Sequence, residues 1–167
     1  MVREWDHAPD VNAPLARPEN AAARGEYSGD HVESFTLSDR LMYGPVVLAF
    51  FPGVYSGLCT EELCTIRDWY DDLADLDAQV FGVSADTPWS QLAFIDEYDL
   101  TFPLVSGFNN DVIDEYGVRS EGGLLEGIAN RSLFVIDEEG SVTYRWDAEP
   151  GELPDLDEVR SAIEAAR

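Results

Sequence analysis

The sequence predicts an α/β domain with a mixed central β-sheet and helices on both faces. Two continuous apolar runs, PVVLAFF (45–51) and AQVFGVSA (78–85), are typical of buried central strands. Strands alternate with helical segments along most of the chain, which favours parallel neighbours. Near the carboxyl end, RSLFVID (131–137) and SVTYRW (141–146) are joined by EEG, which predicts a hairpin and therefore an antiparallel pair.

The first half of the chain supplies a short strand, a buried strand and a helix. Residues 9–32 are rich in Ala, Pro, Glu and Gly and predict an irregular lead-in, and SFTLSD (34–39) alternates as a short strand does. After the buried strand, the turn PGVYSG (52–57) precedes a segment with helical spacing of apolar residues: Leu63, Ile66, Tyr70 and Leu73. Acidic residues at the start of this segment agree with the positive end of a helix dipole.

The second half continues this alternation. DTPWSQLAFIDEYDL opens as a capped helix, with Asp86 or Thr87 as the cap and Pro88 in the first turn. FPLVSG predicts a short strand, NDVIDEYGV a short helix and DLDEVRSAIEAAR a closing amphipathic helix. A mixed sheet of the thioredoxin type fits this order of elements best.

Length and composition indicate one folded domain. The chain has 167 residues, of which 45% are apolar, enough for a single packed core. We assign residues 1–7 to an N-terminal extension and residues 8–167 to one domain. The N-terminus has no apolar targeting segment and no stretch long enough to cross a membrane, so we expect a cytoplasmic protein.

The charge is strongly acidic. Asp and Glu number 34 against 10 basic residues, all arginine, which gives a net charge of -24. Such a surface repels nucleic acid and anionic membranes, so we expect neither as a partner. The absence of lysine beside the acid excess resembles proteins of extreme halophiles; an ordinary acidic protein is the alternative.

Two cysteines, Cys59 and Cys64, are the residues with the clearest chemical potential. In a reducing cytosol, cysteines are more often redox-active than structural. Cys59 falls in the predicted first turn of a helix, where free N–H groups and the dipole favour a thiolate, although a small buried apolar residue is an equal reading. A zinc site is disfavoured because His7 and His31 are the only histidines and no further thiol exists.

The spacing of the two cysteines can be tested against helix geometry. Five steps along a helix place two Cα atoms roughly 8 to 9 Å apart, whereas a disulfide spans about 4.4 to 6.8 Å. A bond between Cys59 and Cys64 therefore demands that the first turn unwind, which suits a transient bond rather than a structural one. Cys64 as an unreactive core residue is the alternative.

Two other residues complete a possible site. Ser56 can place a hydroxyl near Cys59, or it can simply cap the helix. Arg131 stands at the head of a buried strand, where arginine is rarely placed without a partner, although a surface arginine fits the pattern equally well.

PGVYSGLC fits the P-x-x-x-[ST]-x-x-C signature of peroxiredoxins, with Pro52, Ser56 and Cys59 in register and Glu62 following. APDVNAPL, VVLAFFP, GVSADTP, FPLVSG and RSLFVID resemble further segments of that family in the same order. The resemblance implies a thiol peroxidase with a thioredoxin-like fold that acts on hydrogen peroxide or organic hydroperoxides and needs no cofactor. The C-x4-C spacing is similar to that of the bacterioferritin-comigratory, or Q-type, group.

The resemblance also implies a role for each matched residue. Cys59 is then the peroxidatic cysteine, Arg131 and Ser56 hold and polarise the peroxide, Pro52 shields the thiolate, and Glu62 orients the arginine. Cys64 is then the resolving cysteine, and a thioredoxin-like donor reduces the disulfide.

Two alternative functions stay open. The protein can be a one-cysteine peroxidase that uses an external thiol, or a redox sensor or relay without sustained turnover. Relatives include monomers and homodimers, so the acidic chain can be either. A thiol-disulfide oxidoreductase is disfavoured because the C-x-x-C spacing is absent.

Overall fold

The computed structural model describes residues 2–167 as one sheet with helices around it. The strands are β1 (Asn12–Ala16), β2 (Glu33–Thr36), β3 (Val46–Phe50), β4 (Gln79–Ser84), β5 (Leu104–Ser106), β6 (Ser132–Ile136) and β7 (Val142–Asp147). The α-helices are α1 (Gly57–Tyr70), α2 (Pro88–Tyr98), α3 (Val112–Glu115) and α4 (Leu156–Ala165). Across residues 2–167, no helix combines the length and apolar character that crossing a membrane requires.

The seven strands form a mixed sheet in the order β2-β1-β5-β4-β3-β6-β7. The central pairs β3–β4 and β4–β5 are parallel, and the remaining pairs are antiparallel. Strands β6 and β7 form the hairpin that the sequence predicts. This arrangement confirms the α/β, thioredoxin-like fold class.

Alternation along β3 supplies both faces of the core. Every residue of β3 is buried, and successive side chains point to opposite faces of a strand. Val47 and Ala49 pack in the cluster that also holds buried residues of α1, α2 and α4, whereas Val46 and Leu48 pack in the cluster that holds those of α3. The continuous apolar run therefore reflects a strand that is covered on both sides.

The predicted irregular lead-in is wrong over residues 12–16. These residues form β1, which pairs with β2 on one side and with β5 on the other. NAPLA carries alanine and a proline, which are poor strand formers, so local propensity gives no strand signal. The strand is stabilised by tertiary packing instead, because Ala13, Leu15 and Ala16 are all buried.

The chain before residue 8 lies against the edge of β7. His7 forms a β-bridge with Ser141, and Trp5 and Asp6 exchange backbone hydrogen bonds with Val142. Val2 is buried. The boundary between an extension at 1–7 and a domain at 8–167 stays a prediction, and residue 1 lies outside the described residues.

Candidate active site

The sheet register brings a cysteine and an arginine from distant parts of the chain to one place. Strand β3 ends at Phe50, which pairs with Ser132 at the start of the antiparallel strand β6. Arg131 directly precedes β6, and the chain leaving β3 enters α1, whose third residue is Cys59. The N-terminus of α1 and Arg131 therefore meet beyond the same end of the β3–β6 pair.

Helix α1 begins at a side-chain cap. Ser56 is the N-cap residue, and its Oγ accepts a hydrogen bond from the N–H of Cys59 at 3.4 Å. The carbonyl oxygen of Ser56 also accepts hydrogen bonds from Thr60, at 2.9 Å from the N–H and at 2.8 Å from the hydroxyl. These contacts fix Cys59 in the first turn, where free N–H groups and the helix dipole favour negative charge.

Arg131 bridges Cys59 and Glu62. Its Nη2 donates to the Cys59 Sγ at 3.4 Å, and its Nη1 donates to Glu62 Oε1 at 2.6 Å. Cys59 and Glu62 are three residues apart and share one face of α1. Cys59 is fully buried, and the side chains of Arg131 and Glu62 are only 9% and 1% exposed. Ionic interactions are strong where water is excluded in this way.

Glu62 is a buried carboxyl group with a shifted pKa. Burial raises the pKa of Glu62 from 4.5 to about 7, although the charge of Arg131 and its hydrogen bond act in the opposite direction. Within residues 2–167, the buried Glu62 Oε2 has no hydrogen-bond partner. Burial lowers the pKa of Arg131, but Glu62 and Cys59 together outweigh burial, and the pKa of Arg131 is raised. Arg131 is therefore the more firmly charged partner.

We expect the wild-type protein to lose stability relative to Glu62→Gln as the pH rises from 4.5 to about 7. In this interval the unfolded chain has released the Glu62 proton, whereas the folded chain still holds it. The free energy of unfolding therefore falls with rising pH, by on the order of 3 kcal/mol in total. Urea unfolding at several pH values and constant ionic strength measures this difference.

The glutamine variant is the control for this prediction. Glutamine keeps an oxygen that accepts from Arg131 but does not titrate, so the contributions of the other carboxyl groups cancel in the difference between the two chains. Parallel pH profiles for the two chains would contradict a raised pKa of Glu62.

Both cysteines lie on α1 and both are free thiols. Cys59 is buried and Cys64 is half-buried. Because the helix is continuous from Gly57 to Tyr70, the two sulfurs belong to Cα atoms that are too far apart for a disulfide. Any bond between them requires the beginning of α1 to unwind.

A cavity of about 380 Å³ opens beside Arg131. Pro52 and Leu58 line one side, and the end of β7 with the turn that follows it (147–151) lines the other. The N–H of Ala148 donates to the carbonyl oxygen of Arg131 at 3.0 Å, so this turn also fixes the arginine backbone. Pro52 is half-buried and lies at this cavity, beside Arg131.

The structure gathers the predicted site residues into one region. Five of them surround the start of α1, and the sixth, Cys64, follows on the same helix: Pro52, Ser56, Cys59, Glu62, Arg131 and Cys64. Among the side chains in residues 2–167, no three His, Cys, Asp or Glu lie close enough together to hold a metal ion.

Comparison with known proteins identifies the family. The model of the AhpC/TSA family matches residues 5–145. The chain belongs to the AhpC/TSA family. YkuU of Bacillus subtilis (strain 168), which carries a peroxiredoxin name, is 33% identical over 160 residues, covering 92% of this chain and 85% of YkuU. A chloroplastic peroxiredoxin Q of Populus jackii is 30% identical over 172 residues, covering 97% of this chain and 80% of that protein.

A solved structure agrees with this assignment. The crystal structure of peroxidoxin BcpB from Mycobacterium tuberculosis has a TM-score of 0.82 and 26% identity, and the match covers 100% of this chain and 99% of that one. The predicted family is therefore confirmed: this AhpC/TSA member is a peroxiredoxin of the bacterioferritin-comigratory and Q type. Peroxiredoxins are thiol peroxidases, so the chain is an enzyme of that class.

One residue that the signature does not include holds the loop before α1. Asp86 Oδ2 accepts hydrogen bonds from the N–H of Val54 at 2.9 Å and from the hydroxyl of Ser84 at 2.7 Å. From the sequence, Asp86 and Thr87 are alternative caps of α2, and the structure gives the cap to Thr87, whose side chain accepts from Ser90. The sequence signal for this contact is a carboxylate two residues after the end of β4, the strand parallel to β3, because carboxyl ends of parallel strands share an edge.

Proposed function

We propose that the chain reduces hydrogen peroxide and organic hydroperoxides through Cys59 and resolves the product through Cys64. The observation that carries the proposal is the 3.4 Å contact between Arg131 Nη2 and the Cys59 Sγ at the start of α1. A guanidinium and a helix N-terminus both favour the thiolate, which is the nucleophilic form of cysteine.

The first step is an attack of the Cys59 thiolate on one peroxide oxygen. The O–O bond breaks, the sulfur becomes a sulfenic acid, and the second oxygen leaves as water or an alcohol after taking up a proton. Charge develops on the leaving oxygen, and the fixed guanidinium of Arg131 can stabilise it. Glu62 holds Arg131 in place by their 2.6 Å contact, and Ser56 contributes its cap at the helix start.

The second step joins the two cysteines. The Cys64 thiolate attacks the sulfenic sulfur of Cys59, a disulfide forms, and the sulfenic oxygen leaves as water with one proton. Helix α1 must unwind at its start for this step. A thioredoxin-like dithiol then exchanges with the disulfide and returns both cysteines to the reduced state. The partial exposure of Cys64 supports this assignment, because a resolving thiol has to become accessible.

The cavity beside Arg131 supports organic hydroperoxides as substrates in addition to hydrogen peroxide. Its volume of about 380 Å³ is larger than a hydrogen peroxide molecule, and Pro52 and Leu58 form an apolar wall. An alkyl or aryl group can therefore lie beside Arg131, the residue whose Nη2 contacts the Cys59 Sγ. A homodimer, a cytoplasmic location and adaptation to high salt remain predictions.

Replacing Cys64 by serine tests the two-cysteine route. We expect wild-type protein treated with one equivalent of peroxide to lose both free thiols and two hydrogens in mass, as a Cys59–Cys64 disulfide requires. In Cys64→Ser, Cys59 should still be oxidised once, but the sulfenic acid should persist or proceed to sulfinic acid. Turnover with thioredoxin should stall. Mass spectrometry of the intact protein reports all three products.

The remaining hypotheses give different results in the same experiment. Full turnover of Cys64→Ser with a small external thiol, together with no disulfide in the wild type, would favour a one-cysteine peroxidase. Consumption that stops at one equivalent of peroxide per chain, with a disulfide reductase present, would favour a sensor or relay.

A further inference from the structure

The loop between β3 and α1 is joined to the neighbouring strand by one carboxylate oxygen. Asp86 Oδ2 accepts from the N–H of Val54 at 2.9 Å and from the hydroxyl of Ser84 at 2.7 Å. Val54 belongs to the loop 51–56, which leads into the Ser56 cap of α1. Asp86 is the second residue after β4. A single carboxylate thus connects the active-site loop to the sheet.

A buried polar network fixes the sheet side of this connection. The hydroxyl of Ser106 donates to the carbonyl oxygen of Asp86 at 2.6 Å. The side-chain amide of Gln91 donates to the Ser84 hydroxyl and to the Val105 carbonyl oxygen, at 3.0 Å each. Ser84, Gln91 and Ser106 are fully buried. Because hydrogen bonds in a buried network reinforce one another, Asp86 presents its carboxylate from a fixed position.

The loop side carries backbone strain. Tyr55 has a φ of 71°, in the left-handed region that is costly for a residue with a side chain. Its ring packs edge-on against Phe94 of α2, with ring centroids 5.1 Å apart. Strained residues persist only where their surroundings hold them. The hydrogen bond from Val54, the residue before Tyr55, to Asp86 is one of the contacts that hold this conformation.

We propose that Asp86 is a positioning residue that sets the balance between the wound and the unwound start of α1. The inference rests on the proposed Cys59–Cys64 disulfide. The wound helix places Cys59 beside Arg131 and reacts with peroxide, whereas the disulfide needs the residues after the loop to leave the helix. Because Asp86 restrains the loop that leads into the wound helix, losing this restraint slows the first reaction and speeds the second.

The test compares Asp86→Ala with Asp86→Asn. In the alanine variant we expect faster disulfide formation and a slower reaction with hydrogen peroxide, with the ratio of the two rates raised by about tenfold, because the hydrogen bond from the Val54 N–H to the carboxylate is lost. Asparagine keeps an oxygen for the Val54 N–H, so Asp86→Asn should return both rates close to wild type. Stopped-flow mixing with hydrogen peroxide, followed by acid quenching and mass spectrometry, measures the two steps separately.

Asp10→Ala is the matched control for a general loss of stability. The Asp10 carboxylate likewise accepts from backbone and hydroxyl donors, namely the N–H of Val11 at 2.9 Å and the N–H and hydroxyl of Ser38 at 3.0 Å each. These contacts join the residues just before β1 to the segment after β2, outside the site. Asp10→Ala should therefore lower stability without changing the ratio of the two rates.

Two results would overturn the proposal. The first is a ratio of the two rates that is the same in Asp86→Ala and Asp10→Ala. The second is a change of this ratio in Asp86→Asn that is as large as in Asp86→Ala. If Asp86→Ala does not fold, Asp86→Ser takes its place, because a serine hydroxyl is too short to reach Val54. A wild-type protein that forms no Cys59–Cys64 disulfide would refute the two-cysteine route instead. The peroxide rate of Asp86→Ala against Asp10→Ala would then still decide whether Asp86 positions the loop.

Discussion

Replacing Cys59 by serine is expected to abolish peroxide turnover. A serine hydroxyl stays protonated at neutral pH and is a far weaker nucleophile than a thiolate. The exchange of sulfur for oxygen leaves the Ser56 cap and the Arg131–Glu62 pair in place, so the loss reports chemistry rather than folding. Peroxide consumption, followed with an excess of thioredoxin and its reductase, should fall to the uncatalysed rate.

The matched control for Cys59→Ser is Cys64→Ser. Both variants lose one thiol of the same helix, and no other cysteine exists in the chain. Cys64→Ser should still consume one equivalent of peroxide rapidly, whereas Cys59→Ser should consume none. Thermal unfolding should confirm that both variants are folded. Wild-type turnover in Cys59→Ser would place the reaction at a different group and would refute the proposed role of Cys59.

The sequence allowed the central part of the fold to be predicted because its signals are local. The buried runs that become β3 and β4, the hairpin β6–β7 and the spacing of Cys59 and Cys64 on α1 all follow from patterns within a few residues. The peroxiredoxin signature adds Pro52 and Ser56 by position alone. Such features depend little on which distant segment each element meets.

The parts that the sequence did not show depend on distant pairing. NAPLA becomes β1 only because β2 and β5 lie on either side of it. The contact of Arg131 with Cys59 arises from the register of β3 against β6. The local sequence pattern does not predict it, because a surface arginine fits the pattern at position 131 equally well. The raised pKa of Glu62 likewise results from burial, which no local pattern reports. The role of Asp86 requires the loop and the end of β4 to be adjacent.

Arg131→Met is expected to lower the second-order rate of Cys59 with hydrogen peroxide by about 10²- to 10³-fold, the usual effect of removing one preorganised donor. Methionine keeps a flexible unbranched side chain and removes the charge. Glu62 then loses the cation that lowers its pKa, so it should be protonated at neutral pH and remain buried without a charge. Stopped-flow measurement of the first oxidation step gives the rate directly.

A double-mutant cycle decides whether Glu62 acts through Arg131. Glu62→Gln alone should slow the reaction less than Arg131→Met, because the contact between Arg131 and the Cys59 Sγ survives without its ionic support. The double variant should be no slower than Arg131→Met alone, since Glu62 contacts the arginine and not the sulfur. If the rate of the double variant were reduced by the product of the two single reductions, Glu62 would act independently of Arg131 and would have a separate role.

Alkylation by iodoacetamide separates the two possible effects of the arginine. The Cys59 thiolate attacks the carbon of this neutral reagent and displaces iodide, so the reaction breaks no O–O bond and has no leaving oxygen to stabilise. If Arg131 acts on the peroxide as well as on the sulfur, Arg131→Met should slow alkylation much less than peroxide reduction. Equal losses would restrict the arginine to favouring the thiolate. Because Nη2 is the only arginine nitrogen within residues 2–167 that donates to the Cys59 Sγ, no second guanidinium in this part of the chain can mask the difference.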